Sequence, residues 1–360
     1  MRILVTGNMG YVGPVVVRHL RGRFPQAEIL GLDSGIFAHC LAVPGPLPEA
    51  RDLSAQHFGD ARNVPEALLR GTDVVVHLAA ISNDPMGNRF EAVTDEINRA
   101  ASLEIARRAA LAGVRAFVFA SSCSVYGLAA DGPPRREGDP LNPLTAYARS
   151  KIGAEEGLRQ ADHGSMTVTC LRFATACGMS DRLRLDLVLN DFVAAALVSG
   201  RVTVLSDGTP WRPLIAVADM ARAIEWAALR QPEAGGQFLA VNAGADDWNH
   251  RVRDLAEAVA REVPGTEVSI NPAALPDNRS YRVDFSLFRT LAPDHQPRET
   301  LGGTIQGLAH GLRAVGFADP DFRGSALARL PVLSGHIEAG RLSPDLRWSP
   351  RQAAAEEPAW

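Results

Sequence analysis

Short apolar runs alternate with longer amphipathic stretches through the first half of the chain. The runs are "RILVTG", "EILGLD", "AQHFGD", "DVVVHLAA", "AFVFASS" and "VTCLRFA". Each is continuous and rich in β-branched residues, as strands buried on both faces are, and the spacers between them are long enough for helical crossovers. The rhythm predicts an α/β fold built on a doubly wound parallel sheet.

After about residue 175 the rhythm loosens. Gly, Pro and Asp cluster in "SDGTPWRPL" and "NPAALPDNRSY", with helical patterns at 186–199 and 251–262 between them. The expected organisation is a dinucleotide-binding domain over 1–175, to which some later segments return, a smaller α/β substrate lobe over 176–325, and a C-terminal extension over 326–360. The chain closes on "RQAAAEEPAW", a polar stretch expected to be disordered.

Composition narrows the function. A formal charge of −4 argues against nucleic acid as a partner, which would draw a basic excess to one face. No apolar run approaches the roughly 20 residues that cross a bilayer. The first residues read as a strand and lack the marks of a secretory signal, so a cytoplasmic protein with no membrane partner is expected. Cys40, Cys123, Cys170 and Cys177 have no metal-ligand spacing and read as small buried hydrophobes, so no metal is expected.

The first strand runs straight into "TGNMGYVG", with glycines at 7, 10 and 13 ahead of the helical "PVVVRHLRGRF". Gly7 permits a tight turn, Gly10 lets the backbone approach a pyrophosphate, and Gly13 allows close packing of helix and strand. The helix N-terminus adds N–H donors and a positive dipole. The cofactor is therefore expected along Gly7, Asn8, Met9, Gly10, Tyr11, Val12 and Gly13. Asp33 ends the next strand, where a carboxylate accepts hydrogen bonds from the adenosine ribose and repels a 2′-phosphate. The pattern predicts a Rossmann-type fold that takes NAD.

The GxxGxxG spacing, together with Tyr147-Ala-Arg-Ser-Lys151 as a YxxxK motif, resembles the short-chain dehydrogenase/reductase superfamily. The segments "VTGNMGYVG", "GLD", "VVHLAA", "FASSCSVYG", "TAYARSK", "LRFA" and "RPLIAVADMARAI" fall in the order of its extended branch, the NAD-dependent nucleotide-sugar epimerases and dehydratases. On a helix, residues i and i+4 share a face, so the Tyr147 phenol and the Lys151 amine point at one spot. A phenol with an ordinary pKa of about 10 is a poor base. A nearby ammonium and the nicotinamide charge are expected to lower it. Lys151 is the only lysine among 37 Lys and Arg residues, and an arginine fork could not reach both phenol and ribose.

The resemblance implies further roles. Ser122 would hydrogen-bond the reacting sugar oxygen, with Ser124 a secondary candidate. Asp60 would meet the adenine amine beside Ala61, and Leu78, Ala79 and Ala80 would let the backbone approach the cofactor. Ser82 and Asn83 would lie near nicotinamide and sugar, and Asn98 would support an active-site water. Arg212, Asn190 and Thr175 would contact the substrate, with Arg182, Arg184, Arg279 and Arg282 as further candidates. The two long helices at 88–113 and 146–160 would pair into a homodimer.

The dehydratases of this branch place Asp-Glu just before the VYG. Here Cys123 and Ser124 stand there, which disfavours loss of water. The resulting expectation is an NAD-dependent epimerase of a nucleoside-diphosphate sugar, acting at C4 through a transient keto-sugar. A nucleotide-sugar ketoreductase and a UDP-glucuronate decarboxylase are the alternatives within the branch. A non-catalytic NAD-sensing regulator is the alternative outside it.

Overall fold

The structure, a computed structural model, describes the chain apart from Pro44, Asn83, residues 129–131, Pro272, residues 275–279 and residues 351–360. The six apolar runs become strands β1 (Arg2–Thr6), β2 (Glu28–Asp33), β3 (Ala55–Phe58), β4 (Val74–His77), β5 (Ala116–Ser122) and β6 (Thr167–Phe173). The second half supplies β7 (Thr175–Cys177), β8 (Arg201–Val204), β9 (Trp211–Ala216), β10 (Phe238–Ala243), β11 (Asn249–Arg251) and β12 (Glu267–Ile270).

Seven strands form one parallel sheet in the order β10-β6-β5-β4-β1-β2-β3. Every residue of β4 and β6 is buried, His77, Thr167, Thr169 and Arg172 among them. From β1 the chain winds outward to β2 and β3, then returns to lay β4 on the other side. The two loops that leave β1 and β4 therefore diverge, and a crevice opens at the carboxyl ends of these strands. β10 comes from beyond residue 235 yet pairs with β6, so a late segment does rejoin the sheet.

Around this sheet the second half adds a three-stranded sheet, β11-β9-β7, and the parallel pair β12-β8. The helices Val188–Ser199, Val252–Glu262 and Leu301–Ala314 pack together beside them. A helix at Arg329–Glu338 follows, and its segment builds a separate apolar core in which Leu333, Leu342 and Leu346 meet Ile36, Ile81 and Met86.

The long helix expected at 88–113 is broken. Asp84–Arg89 and Glu91–Asp95 are short helices, Glu96–Ala100 is a π turn, and a regular helix runs only over Ala101–Leu111. The interruption falls at Phe90, and within the π turn the Asn98 amide reaches across to the loop after β4. Its Oδ1 accepts from Ile81 N at 2.8 Å, and its Nδ2 donates to Ile81 O at 2.9 Å and Ser150 Oγ at 3.0 Å. The widened turn carries that side chain fully inside, as π turns at functional sites do. Asn98 thus grips backbone and the Ser150 hydroxyl, not the open cleft where a water-supporting role would place it.

Candidate active site

The glycine turn is shaped by close approach. Gly7 has φ +75°, and a Cβ there would stand 2.4 Å from Ala79 N; one on Gly13 would stand 2.2 Å from Asn8 O. A Cβ on Gly10 would meet only Gly7 O, at 3.2 Å. Two glycines therefore let the backbone close on itself, while the third leaves its face open towards the crevice. The helix Gly13–Arg23 follows with a proline in its first turn.

Asp33 lies beneath that turn. Its carboxylate accepts Met9 N at 3.0 Å through Oδ2 and Gly35 N at 2.8 Å through Oδ1, which leaves lone pairs on both oxygens. Burial raises its pKa, and the two N–H donors oppose the rise. Asp60 is held by Arg62, with Nη2 on Oδ2 at 2.6 Å, and Arg347 stands 3.7 Å away. Burial pushes the Asp60 carboxyl up, but the Arg62 hydrogen bonds outweigh it and hold the group below the usual range.

Across the crevice the helix Ala146–Gln160 begins at Thr145, whose hydroxyl accepts Ala148 N at 3.2 Å. Its first turn presents Tyr147 and its second Lys151. Burial pushes the Tyr147 phenol up to about 12, while a hydrogen bond with the Ser122 hydroxyl and the nearby Arg184 charge pull the other way. The lysine does not do what its spacing suggested. Its Nζ donates to Ala120 O at 2.7 Å and sits 4.5 Å from the centre of the Phe119 ring, and burial lowers its pKa to about 7. A buried amine near neutrality is a weak source of field at the phenol. Ser122 is the leading group in the chain favouring the phenolate.

Ser122 Oγ also accepts Ser124 N at 3.1 Å. Ser124 Oγ is buried without a partner among the described residues, yet it faces the cleft. An orphaned hydroxyl beside the Tyr147–Ser122 pair suits a polar ligand.

These groups share one cleft of about 1250 Å³. It brings together Gly7, Gly10, Tyr11, Val12 and Gly13 of the turn, Asp33, Asp60 and Ala61, and Leu78, Ala79 and Ala80 at the end of β4. Ser122, Ser124, Tyr147 and Lys151 stand opposite, with Ser82, Thr175, Arg184 and Arg212 towards the second half of the chain. The dinucleotide fits the turn and Asp33 side, where an open glycine face and a carboxylate with free lone pairs adjoin.

Other expected residues stand elsewhere. Asn8 turns behind the loop to Gln56, with Nδ2 on Oε1 at 2.6 Å, and Met9 is buried with its N–H taken by Asp33. Asn190 is wholly buried: it accepts Gly178 N and donates to Tyr11 Oη and Arg184 O, so it braces the cleft wall instead of touching a substrate. Arg282 donates to Gly132 O and stacks over Trp211 in a separate hollow. Arg182 is buried against Glu49. Asn83 and Arg279 lie outside the described residues.

Several groups in the cleft were not anticipated, Asp84, Tyr281 and Arg329 among them. Asp84 opens the helix Asp84–Arg89 and accepts the Thr145 hydroxyl at 2.8 Å. That helix touches Tyr147 so closely that a Cβ on Gly87 would lie 3.1 Å from the tyrosine's own Cβ. Tyr281 and Arg329 also line the cleft. For Asp84 the signal was present: an acid just after "HLAAISN", at the mouth of a strand already placed at the cofactor.

The chain matches the model of the NAD dependent epimerase/dehydratase family over residues 3–244. It is 29% identical over 303 residues to a UDP-glucose 4-epimerase of Azospirillum brasilense, covering 76% of this chain and 82% of that one. It is 28% identical over 248 residues to a dTDP-glucose 4,6-dehydratase of Streptomyces griseus, covering 68% and 74%. The protein MoeE5, solved in complex with UDP-glucose and NAD, superposes with a TM-score of 0.73 at 25% identity, covering 87% of this chain and 99% of that one. Sequence and fold therefore agree that the chain belongs to the NAD dependent epimerase/dehydratase family.

Proposed function

We propose that the protein epimerises a nucleoside-diphosphate sugar at C4. The observation that carries this reading is that Tyr147 and Ser122 line one cleft whose 123–124 positions hold no acid. Cys123 is fully buried with its Sγ on Arg172 O at 3.1 Å, and burial raises its pKa, so it cannot serve as a proton donor for a leaving hydroxyl.

In this mechanism Tyr147 takes the proton of the C4 hydroxyl while Ser122 hydrogen-bonds the same oxygen and holds it in line. NAD, when bound, supplies the acceptor for the C4 hydride and returns it. Lys151 orients the nicotinamide ribose from the next turn of the helix, and Arg212 meets the substrate diphosphate. The keto-sugar rotates before the hydride returns to its other face, and Tyr147 gives the proton back. The same reading assigns residues 1–175 to cofactor binding and 176–325 to the substrate, in a homodimer built on the helices Ala101–Leu111 and Ala146–Gln160.

Asp84 favours a second reading. It is a carboxylate facing the cleft, close enough to Tyr147 to raise its pKa, and could take up the acid–base work of eliminating water after oxidation at C4. Incubation with UDP-glucose and dTDP-glucose without added NADH, followed by NMR and mass spectrometry, separates the two. Epimerisation conserves mass and inverts C4. A product lighter by one water selects elimination and overturns the epimerase reading.

A further inference from the structure

Residues 325–349 belong to none of the three sheets, yet they are bonded to both walls of the cofactor cleft. On the dinucleotide side, Trp348 Nε1 donates to Ser34 O at 2.6 Å, immediately after Asp33. His336 Nε2 donates to Ile36 O at 3.2 Å, and Arg62, the partner of Asp60, donates to Asp345 O at 2.9 Å. On the other side, Leu185 N donates to Leu327 O at 2.9 Å and Arg329 Nη2 to Arg182 O at 2.8 Å. The segment spans the crevice from one wall to the other.

Two features are hard to explain as packing alone. Leu346 has φ +57°, the one non-glycine in the left-handed region among the described residues, and it faces the cleft. A leucine held there against its own preference marks a place over-determined by its surroundings. Arg329 is 2% exposed and also faces the cleft, donating to Ala326 O and Arg182 O and stacking 5.1 Å over Phe37. Among the described residues no carboxylate comes within ion-pair distance of it. Its neighbours Arg182 and Arg184 already occupy Glu49 and Asp186. Arg329 thus has no ion-pair partner of its own and feels only the more distant Asp186, which Arg184 holds, and a buried cation short of a partner is costly unless an anion completes it.

We propose that the C-terminal segment is a third wall of the NAD site, in which Leu330 and Leu346 enclose the adenosine end and Arg329 supplies the counter-charge for the cofactor's diphosphate. The proposal rests on NAD as the cofactor and not on the C4 epimerase reading. It makes cofactor retention a property of a segment more than 300 residues from the glycine turn.

The test measures NAD binding without any sugar. Wild type, Arg329→Met and Trp348→Phe are prepared as full chains, and NAD per chain is counted after gel filtration. Each is then stripped, its melting temperature taken, and its NAD affinity measured by calorimetry. Arg329→Met is expected to bind NAD at least tenfold more weakly with a shallower salt dependence, while the stripped protein melts at the wild-type temperature or above. Trp348→Phe, which keeps the ring and loses the bond to Ser34, is expected to shed NAD faster. Affinities within twofold of wild type in both variants overturn the proposal. So does a loss of affinity in Arg329→Met that comes with a lower melting temperature of the stripped protein, since that is the mark of a structural arginine. Should Arg329→Met fail to fold, retention and affinity of Trp348→Phe decide alone. Failure of the epimerase reading registers separately, as absence of sugar turnover by a protein that holds NAD.

Discussion

Lys151 Nζ lies 5.7 Å from the centre of the Tyr147 ring, and its hydrogen bond goes to the Ala120 carbonyl at 2.7 Å instead of the phenol. The two side chains share a helix face, as their spacing requires, but they are not a bonded pair. Burial desolvates the Lys151 amine at this position.

That desolvation is measurable. Burial brings the Lys151 pKa from 10.5 down to about 7. Below the lower value the amine is charged in both folded and unfolded chains, and the folded chain carries the full cost. Between the two values only the unfolded chain holds the proton, so stability rises with pH. Stripped Lys151→Met should therefore be more stable than wild type at pH 6, and its advantage should shrink by about 3 kcal/mol towards pH 9, at about 1.4 kcal/mol per unit. Denaturant unfolding across that range checks it. A difference that does not vary with pH would place the amine in water. Lys151→Arg should fold but lose turnover on the order of 100-fold, since a misplacement of an ångström is enough for that.

The phenol gives a second handle. All four tyrosines, Tyr11, Tyr126, Tyr147 and Tyr281, are raised by burial, and Tyr147 is raised least, to about 12. Ultraviolet difference titration of the stripped protein should show no phenolate below about pH 11. NAD, which brings a positive ring beside Tyr147, should move one phenolate per chain to lower pH. Tyr147→Phe should abolish that signal and hydride transfer while keeping NAD. A low-pH phenolate that survives the substitution would move the general base to another residue.

The proposed site makes Asp33 the residue that selects NAD over NADP. Hydrogen bonds to a charged group are worth about 1.5–3 kcal/mol, so Asp33→Asn should narrow the preference for NAD over NADP by roughly 10- to 100-fold. Calorimetry with both nucleotides reads it. Tighter binding of NADP by the wild type would contradict the role of the carboxylate.

Local rules made half of this site legible. The turn at Gly7, Gly10 and Gly13 and the i, i+4 pair Tyr147 and Lys151 follow from backbone sterics and helix period, which need no knowledge of the rest of the chain. Six of the seven strands of the main sheet were legible as apolar runs, while β10 was not. What stayed hidden depends on contacts between distant residues. Trp348 and Ser34 are 314 positions apart, and no periodicity ties them. The π turn at Glu96–Ala100 sets Asn98 on the backbone of Ile81, and the direction of the Tyr147 shift depends on how deeply the cleft buries it.

One buried pair was hidden for the opposite reason, since its members sit in motifs read for other purposes. Glu155 lies four residues past Lys151, and Arg172 stands inside the apolar strand β6. Arg172 Nη2 donates to Glu155 Oε2 at 2.6 Å with both side chains 3% exposed, and Glu155 also accepts the Ser121 hydroxyl. Arg172 Nη1 further donates to Tyr126 Oη at 3.1 Å. The pair fastens the catalytic helix to β5 and β6 one turn below Lys151. Replacing one member leaves the other charged, buried and unmatched, which costs about 3–5 kcal/mol, whereas replacing both with apolar residues of similar size is often neutral. Glu155→Leu and Arg172→Met should each lower unfolding stability by that amount, and the double variant should recover most of it. The double variant should also hold NAD and keep a Tyr147 titration like wild type, because neither charge faces the cleft. Additive losses in the double variant would mean that the two residues act through separate partners, and that the helix is fastened some other way.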